Sequence, residues 1–225
     1  MKTALITGAS RGIGKATAEK FLANGWKVIG TSISGKLPFE NENLEAMQLD
    51  LSGPESIEKT IQGILESGAR LDVLVNNAGV ALDSWDAGVD LEKVRKTFEV
   101  NLFGLIDFTE KLLSAINGGG HIINLSSRYG SFSMPVQDDT SIGYMMSKAS
   151  LNMYTRFLAF RLKNNNIKVS SIHPGWIKTD MGNSSATETE KPEKEPEQAA
   201  GDIYKLATAE VETGQFWFEG KKMEW

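Results

Sequence analysis

The sequence predicts an α/β fold, a Rossmann-type doubly wound parallel sheet of about seven strands with helices on both faces, in a single domain spanning 1–225. Two observations carry that expectation. Short apolar runs alternate with helical stretches along the chain, as in parallel sheets covered on both sides. A glycine-rich turn also follows the first run and opens the first helix.

The elements follow in order. Thr3 to Thr7 is the first strand, and Thr7-Gly8-Ala9-Ser10-Arg11-Gly12-Ile13-Gly14 is the turn. Ile13 to Asn24 reads as a helix stopped by Gly25, and Trp26 to Thr31 as a second strand. Ala46 to Leu49 is a third strand, and Pro54 to Glu66 a helix with Ser52 or Gly53 near its cap. Leu71 to Val75 is wholly apolar, as a strand buried on both faces should be. Asp90 to Ile116 reads as one long helix ended by Gly118-Gly119-Gly120, with a fifth strand over Ile122 to Ser126. Gly143 to Lys163 is a helix and Ile167 to Ile172 a sixth strand. The polar, proline-bearing segment 182–197 reads as a mobile loop, a lid or a solvated connector, ahead of a helix near 196–210. Gln215-Phe-Trp-Phe218 and Trp225 are too aromatic for a free tail and suggest a last strand packed on the body or a neighbouring subunit.

Composition narrows the function. The net charge of −5 argues against a general nucleic-acid surface. With no cysteine and only two histidines, at 121 and 173, thiolate chemistry and a His-rich metal site are excluded and no metal is expected. No run approaches a membrane span, and the expectation is a cytoplasmic protein. His121 reads as a strand-start surface residue and His173 as a structural residue at a strand end.

The turn over Thr7 to Gly14 suits a pyrophosphate, because glycines let the backbone approach and a helix N-terminus favours negative charge. It is not a P-loop: Ala16 follows Gly14-Lys15, and Ala9 stands where the first glycine would be. Sites for NAD place an acid after the second strand; this chain has Thr31-Ser32-Ile33-Ser34-Gly35-Lys36 and no acid before Glu40. Ser32, Lys36 and Arg11 would accept a 2′-phosphate where a carboxylate would repel it, so NADP(H) is expected as cofactor.

Tyr144 and Lys148 stand one helical turn apart on one face. A lysine beside a tyrosine favours the phenolate and brings the phenol into range for proton transfer. Alone the spacing means little, but four further pieces fall near the C-terminal ends of strands, where ligands bind in open sheets. These are Asn76-Asn77-Ala78-Gly79, Asn101 within Val100-Asn-Leu-Phe-Gly104, Ser126-Ser127, and Pro174-Gly175 with Thr179 beyond.

In this order the motifs resemble the short-chain dehydrogenase/reductase family in its compact single-domain branch, over essentially the whole chain. Ser126 to Gly130, His173 to Met181 and Gly214 to Trp225 look similar to the sniffer-type, C-factor-like carbonyl reductases. The resemblance implies an NADP(H)-dependent oxidoreductase acting on a small-molecule carbonyl or alcohol. Tyr144 would be the general acid, Lys148 would lower its pKa and hold the nicotinamide ribose, Ser127 would bind the carbonyl, and Asn101 would anchor a water in a relay to Lys148. Gly8, Ser10, Arg11, Gly12, Ile13 and Gly14 would cradle the cofactor with Ser32. Asp50 and Leu51 would flank the adenine, Asn77, Ala78 and Gly79 would line the groove, and Pro174, Gly175, Ile177 and Thr179 would hold the carboxamide. Asn101 has an alternative as a plain structural residue.

The interval between Ser127 and Tyr144 is longer than is usual in the family and includes Met134 to Asp139. It leaves Ser126 as an alternative to Ser127 and suggests a cover over the substrate. Trp85, Tyr129, Met134, Trp176 and Met181 are candidate pocket residues, with plain packing as the alternative for each. The family commonly forms a homodimer or homotetramer through helices like those at 90–116 and 143–163, although some members are monomers. A rival expectation is an NADP(H)-binding regulator with little turnover, for which a proton donor would be superfluous.

Overall fold

The computed structural model describes every residue except Trp85, Gln137, Asp138, Ser185, Thr187 and Glu188. Trp85 and parts of the segments 134–139 and 182–197 therefore lie outside the described residues.

The strands are β1 (Thr3–Ile6), β2 (Lys27–Ser32), β3 (Leu44–Gln48), β4 (Leu71–Asn76), β5 (Ile116–Leu125), β6 (Lys168–Ile172), β7 (Gln215–Phe218) and β8 (Lys221–Met223). The helices are α1 (Gly12–Ala23), α2 (Pro54–Glu66), α3 (Leu91–Phe98), α4 (Leu105–Leu112), α5 (Ile142–Leu162), α6 (Asp180–Ser184) and α7 (Pro196–Thr208). They form one sheet in the order β3-β2-β1-β4-β5-β6-β7-β8. The order reverses between β1 and β4, the switch point where a crevice opens at the strand C-termini.

Alternation along the strands builds two apolar layers. Leu5, Leu74, Ile122 and Val169 face one layer with residues of α2, α4 and α5, among them Ile61, Phe108 and Leu158. Ala4, Ile6, Val73, Val75 and Ile123 face the other with α1 and α7, including Phe21 and Ile203. A period of two on a sheet covered on both faces therefore produces two cores.

The expected doubly wound sheet is present; among the described residues it has eight strands, the extra one being β8, a short edge strand that returns antiparallel to β7. Two expectations about single elements are corrected below. Glu219 and Gly220 both have positive φ, +49° and +74°, the signature of a tight two-residue hairpin. The glycine run Gly118 to Gly120 does not end a helix but lies inside β5, where the ladder with β4 shifts register. A Cβ on Gly120 would stand 2.8 Å from the Asn117 carbonyl oxygen. The long helix over 90–116 is broken by a wider π turn over Glu99–Gly104 and closes with a 3₁₀ turn at Leu113–Ala115. Gly104 admits the Leu51 carbonyl, which a Cβ there would meet at 1.8 Å.

The aromatic end packs on the body. Trp225 stacks on Phe216 at 5.6 Å, with the Arg156 guanidinium over its ring, and the Glu224 carbonyl accepts from Ser131 Oγ at 3.0 Å. His121 is buried rather than on the surface, satisfied at Nε2 by Ser170 Oγ at 2.9 Å. Among the described residues no helix is long and apolar enough to cross a membrane.

Candidate active site

The glycine turn is held from β4. Thr7 Oγ1 accepts the backbone N–H groups of Asn77 and Ala78 at 3.0 and 2.9 Å, while Asn77 Nδ2 donates to the Thr7 and Gly8 carbonyls at 2.7 and 3.1 Å. Gly14 must be glycine: a Cβ there would stand 2.1 Å from the Gly8 carbonyl oxygen and 2.4 Å from Asn77 Nδ2. Gly12, with φ +54°, faces the other wall of the crevice, its missing Cβ only 2.9 Å from Thr179 Cγ2. Helix α1 begins here. Among the described residues no side chain caps it and no acid lies in its first turn, so its open N–H groups suit an anion. Ser10 and Ile13 stand half-buried on this turn, and Gly79 follows Ala78 along the floor.

Arg11 is exposed, and its guanidinium pairs with Asp180 of α6 at 2.5 Å across the crevice. Ser32 closes β2 with its hydroxyl on the Lys36 carbonyl at 2.8 Å. Asp50 is turned onto Ser52, accepting from its N–H and hydroxyl at 2.9 and 2.7 Å. Leu51 is buried in the same apolar layer as Leu49, Leu102 and Leu105, and its carbonyl packs against Gly104, so its side chain belongs to the core.

The catalytic candidates meet at the ends of β4 and β5. The Ser127 side chain lies beside the Tyr144 phenol, near enough to lower its pKa, and its Oγ accepts the Tyr129 N–H at 3.2 Å. Ser126 turns the other way, toward the Lys148 carbonyl at 3.5 Å. Lys148 is buried, donates to the Leu125 carbonyl at 2.8 Å, and holds its ammonium 5.6 Å from the Tyr144 ring centre. Asn101 is fully buried in the π turn. Its Oδ1 accepts the Val80 N–H at 2.8 Å, and its Nδ2 donates to the Val80 carbonyl at 2.8 Å and Ser147 Oγ at 3.1 Å. Asn101 Oδ1 and Lys148 Nζ lie 3.1 and 3.6 Å from where a Cβ on Gly79 would stand, so both border one small space.

The electrostatics differ from the sequence expectation. Burial pushes the Tyr144 phenol up to about 12, partly offset by the Ser127 hydrogen bond. Burial lowers Lys148 to about 8. In the chain alone desolvation outweighs the lysine, whose ammonium points at a carbonyl rather than at the phenol oxygen.

Beyond β6, Pro174 and Gly175 are half-buried and Ile177 is buried. Thr179 Oγ1 accepts the Gly182 N–H at 3.0 Å, and Trp176 Nε1 donates to the Gly182 carbonyl at 2.9 Å. The segment 182–197 starts with part of α6 and is tied at its far end. Ile177 bridges Lys194, Lys178 pairs with Glu195 at 2.5 Å, and Lys194 pairs with Glu219. Tyr129 and Met181 are exposed and Met134 is half-buried.

Sequence reasoning missed Asp83. It lies in the loop after β4 with its carboxylate on the first turn of α5, accepting the N–H groups of Gly143 and Tyr144 at 2.5 and 3.2 Å. No motif marks it, because its partners are backbone groups far along the chain. It also missed Ser147, whose hydroxyl donates to the Tyr144 carbonyl at 2.8 Å and joins it to Asn101.

Known proteins share the sequence pattern and the fold. A family model described as short chain dehydrogenase matches residues 2–190. The 3-oxoacyl-[acyl-carrier-protein] reductase FabG of Vibrio cholerae is 34% identical over 187 residues, 80% of this chain and 75% of that protein. The NADPH-bound carbonyl reductase from chicken fatty liver superposes with a TM-score of 0.86 at 28% identity, covering 100% of this chain and 99% of that one. A Caenorhabditis elegans protein assigned as the carbonyl reductase Sniffer shares the fold at a TM-score of 0.84 and 22% identity, with 100% of both chains covered. The matched family model spans the glycine turn, Asn101, Ser127, Tyr144 and Lys148 together, and the chain therefore belongs to the short-chain dehydrogenase family of oxidoreductases.

Proposed function

We propose that this chain is an NADP(H)-dependent reductase of ketones or aldehydes, reversibly an alcohol dehydrogenase, with Tyr144 as general acid. The juxtaposition of Ser127 and the Tyr144 phenol beside buried Lys148, facing the same crevice as the glycine turn, carries this reading. The Vibrio cholerae and chicken relatives are both named as reductases of a carbonyl or oxoacyl group.

The residues fit a dinucleotide. Gly8, Ser10, Arg11, Gly12, Ile13 and Gly14 would take the pyrophosphate, Ser32 and Arg11 the 2′-phosphate, and Asp50 and Leu51 would flank the adenine. Asn77, Ala78 and Gly79 would line the groove, Tyr144 and Lys148 the nicotinamide ribose, and Pro174, Gly175, Ile177 and Thr179 the carboxamide. Bound there, a reduced nicotinamide supplies hydride to the carbonyl carbon. The chain supplies the rest. Ser127 and Tyr144 donate toward the carbonyl oxygen, and Tyr144 gives up its proton as that oxygen becomes an alkoxide. A phenol held near 12 stays protonated at neutral pH, which suits the reductive direction. Lys148, near 8, keeps its charge at neutral pH and steadies the phenolate left behind.

Arg11 must exchange Asp180 for the 2′-phosphate, and the acid-free end of β2 favours the phosphate. Turnover of NADPH with a panel of small hydrophobic carbonyls tests the reading. Tyr144→Phe should lower kcat by about 10²–10⁴-fold, the usual contribution of a positioned proton donor. Unchanged turnover in that variant refutes the mechanism, and equal efficiency with NADH refutes the cofactor preference.

Self-association is part of the proposal. Met146, Met153, Phe157 and Phe160 recur at helical spacing on the exposed face of α5, with Phe103 exposed on the π turn. Light scattering after size exclusion should find a homodimer or homotetramer, and Phe160→Glu should weaken it.

A further inference from the structure

We propose that Asp83 is a positioning residue whose carboxylate fixes the peptide frame of Tyr144 and thereby aims the phenol at Ser127. This rests on the reading of Tyr144 as proton donor.

Any helix start leaves four N–H groups open, and α5 has two of them filled from a distant loop. Asp83 is 3% exposed, with one oxygen on the Gly143 N–H and the other on that of Tyr144. The fit is close: a Cβ on Gly143 would stand 3.0 Å from the Asp83 carboxylate and from Val94 of α3. Lys93, which feels the Asp83 charge, is bonded to Asp86 instead, so the helix end supplies the positive field around the carboxylate.

The Tyr144 peptide is gripped on its other side too. Its carbonyl accepts from Ser147 Oγ, which accepts from Asn101 Nδ2, and Asn101 holds both polar groups of the Val80 backbone. The segment from Val80 to Asp83 closes this circuit. Tyr144 is thus clamped at its N–H by Asp83 and at its carbonyl by the Asn101 network. The same loop pairs with the chain ahead of α5, through the Ala87–Thr140 bridge and the Gly88 N–H on the Asp139 carbonyl at 3.0 Å. A phenol hinged on one side only would swing out of line, and small misplacements at a reacting centre cost large factors in rate.

The test uses the full chain and the variants Asp83→Ala and Asp83→Asn, the second keeping one carbonyl acceptor and the volume. With a carbonyl that the parent reduces, kcat should fall about 10²-fold in Asp83→Ala and about tenfold in Asp83→Asn, the scale of a misplaced catalytic group. NADPH affinity from fluorescence titration should change less than about threefold, because the cofactor cradle is built elsewhere. In a Tyr144→Phe background Asp83→Ala should cost little more, since residues acting through one another are non-additive. Without cofactor, amide exchange over 142–146 should speed up about tenfold or more, while 150–160 keeps its protection. Unchanged exchange in both variants, or an undiminished extra loss in the double variant, overturns the inference. Equal activity of the parent and Tyr144→Phe would overturn the proton-donor reading instead. A Tyr144-dependent parent with unaffected Asp83 variants would overturn the positioning role alone.

Discussion

The two walls of the crevice are built by different means. The nucleotide wall is backbone pinned by side chains: Thr7 Oγ1 and Asn77 Nδ2 tie the glycine turn to the end of β4 with a network of part-buried hydrogen bonds. The opposite wall, beyond β6, is tied largely by ion pairs among half-exposed or exposed side chains, Arg11–Asp180, Lys178–Glu195 and Lys194–Glu219. Buried polar networks are costly to break, whereas exposed ion pairs contribute little. One wall is a fixed mould, and the other can be altered while the mould survives.

The largest effect should come from Gly14→Ala. Its Cβ would sit 2.1 Å from the Gly8 carbonyl oxygen, so the turn must open, and NADPH binding should fall by more than about 10²-fold in a fluorescence titration. Retained affinity would mean the turn is not the mould described above. Asn77→Ala should come next. It leaves the Thr7 and Gly8 carbonyls without their amide donor, and urea denaturation should show a loss of about 1–3 kcal/mol.

A third prediction concerns acid. His121 is held near 4 by burial and by the Lys168 charge, against an ordinary value of 6.5. The unfolded chain binds a proton there before the folded one can, so stability is full above 6.5 and falls as pH drops toward 4. The loss is on the order of 2–3 kcal/mol for this site, by linkage. His173, half-buried and lowered in the same direction by burial, adds to it. Comparing denaturation at pH 7 and pH 4.5 checks this, and His121→Gln should flatten the slope.

The smallest effects should come from the exposed ion pairs that tie the opposite wall. Arg11→Ala should change the melting temperature hardly at all, because the pair it loses is exposed, yet should reduce the preference for NADPH over NADH about tenfold, the scale of one charge-assisted contact. Lys178→Ala should leave NADPH affinity intact while shifting the ranking within a carbonyl panel. A large stability loss in either variant would erase the contrast between the walls.

The same contrast explains what the sequence made legible. The nucleotide wall is written in local signals: an apolar run, glycines at fixed offsets, and helix α2 with proline at its start, whose observed limits, Pro54–Glu66, are the expected ones. Tyr144, Lys148 and Ser127 were legible as a spacing on elements of the expected kind. Asp83 was not, because capping a helix from a remote loop leaves no pattern in sequence. His121 misled because a lone histidine gives no sign of a buried partner such as Ser170. The glycines of β5 misled because a run of glycines normally marks a break, whereas here it permits a register shift inside a strand. Leu51 was put beside the adenine by the family resemblance, and nothing in the sequence told that its side chain also completes the core.

The π turn around Asn101 has a consequence for the phase of the helix that contains it. Each residue turns an α-helix by about 100°, so one surplus residue, absorbed in a wider coil, rotates everything after it by roughly that angle. Helix α3, before the turn, packs on α5; α4, after it, packs on α2. Deleting a single residue between Glu99 and Gly104 would straighten the coil and ask both helices to present the same face. The chain would then have to choose between the mate of α3 and the mate of α4, and Asn101 stands at the point where that choice is settled.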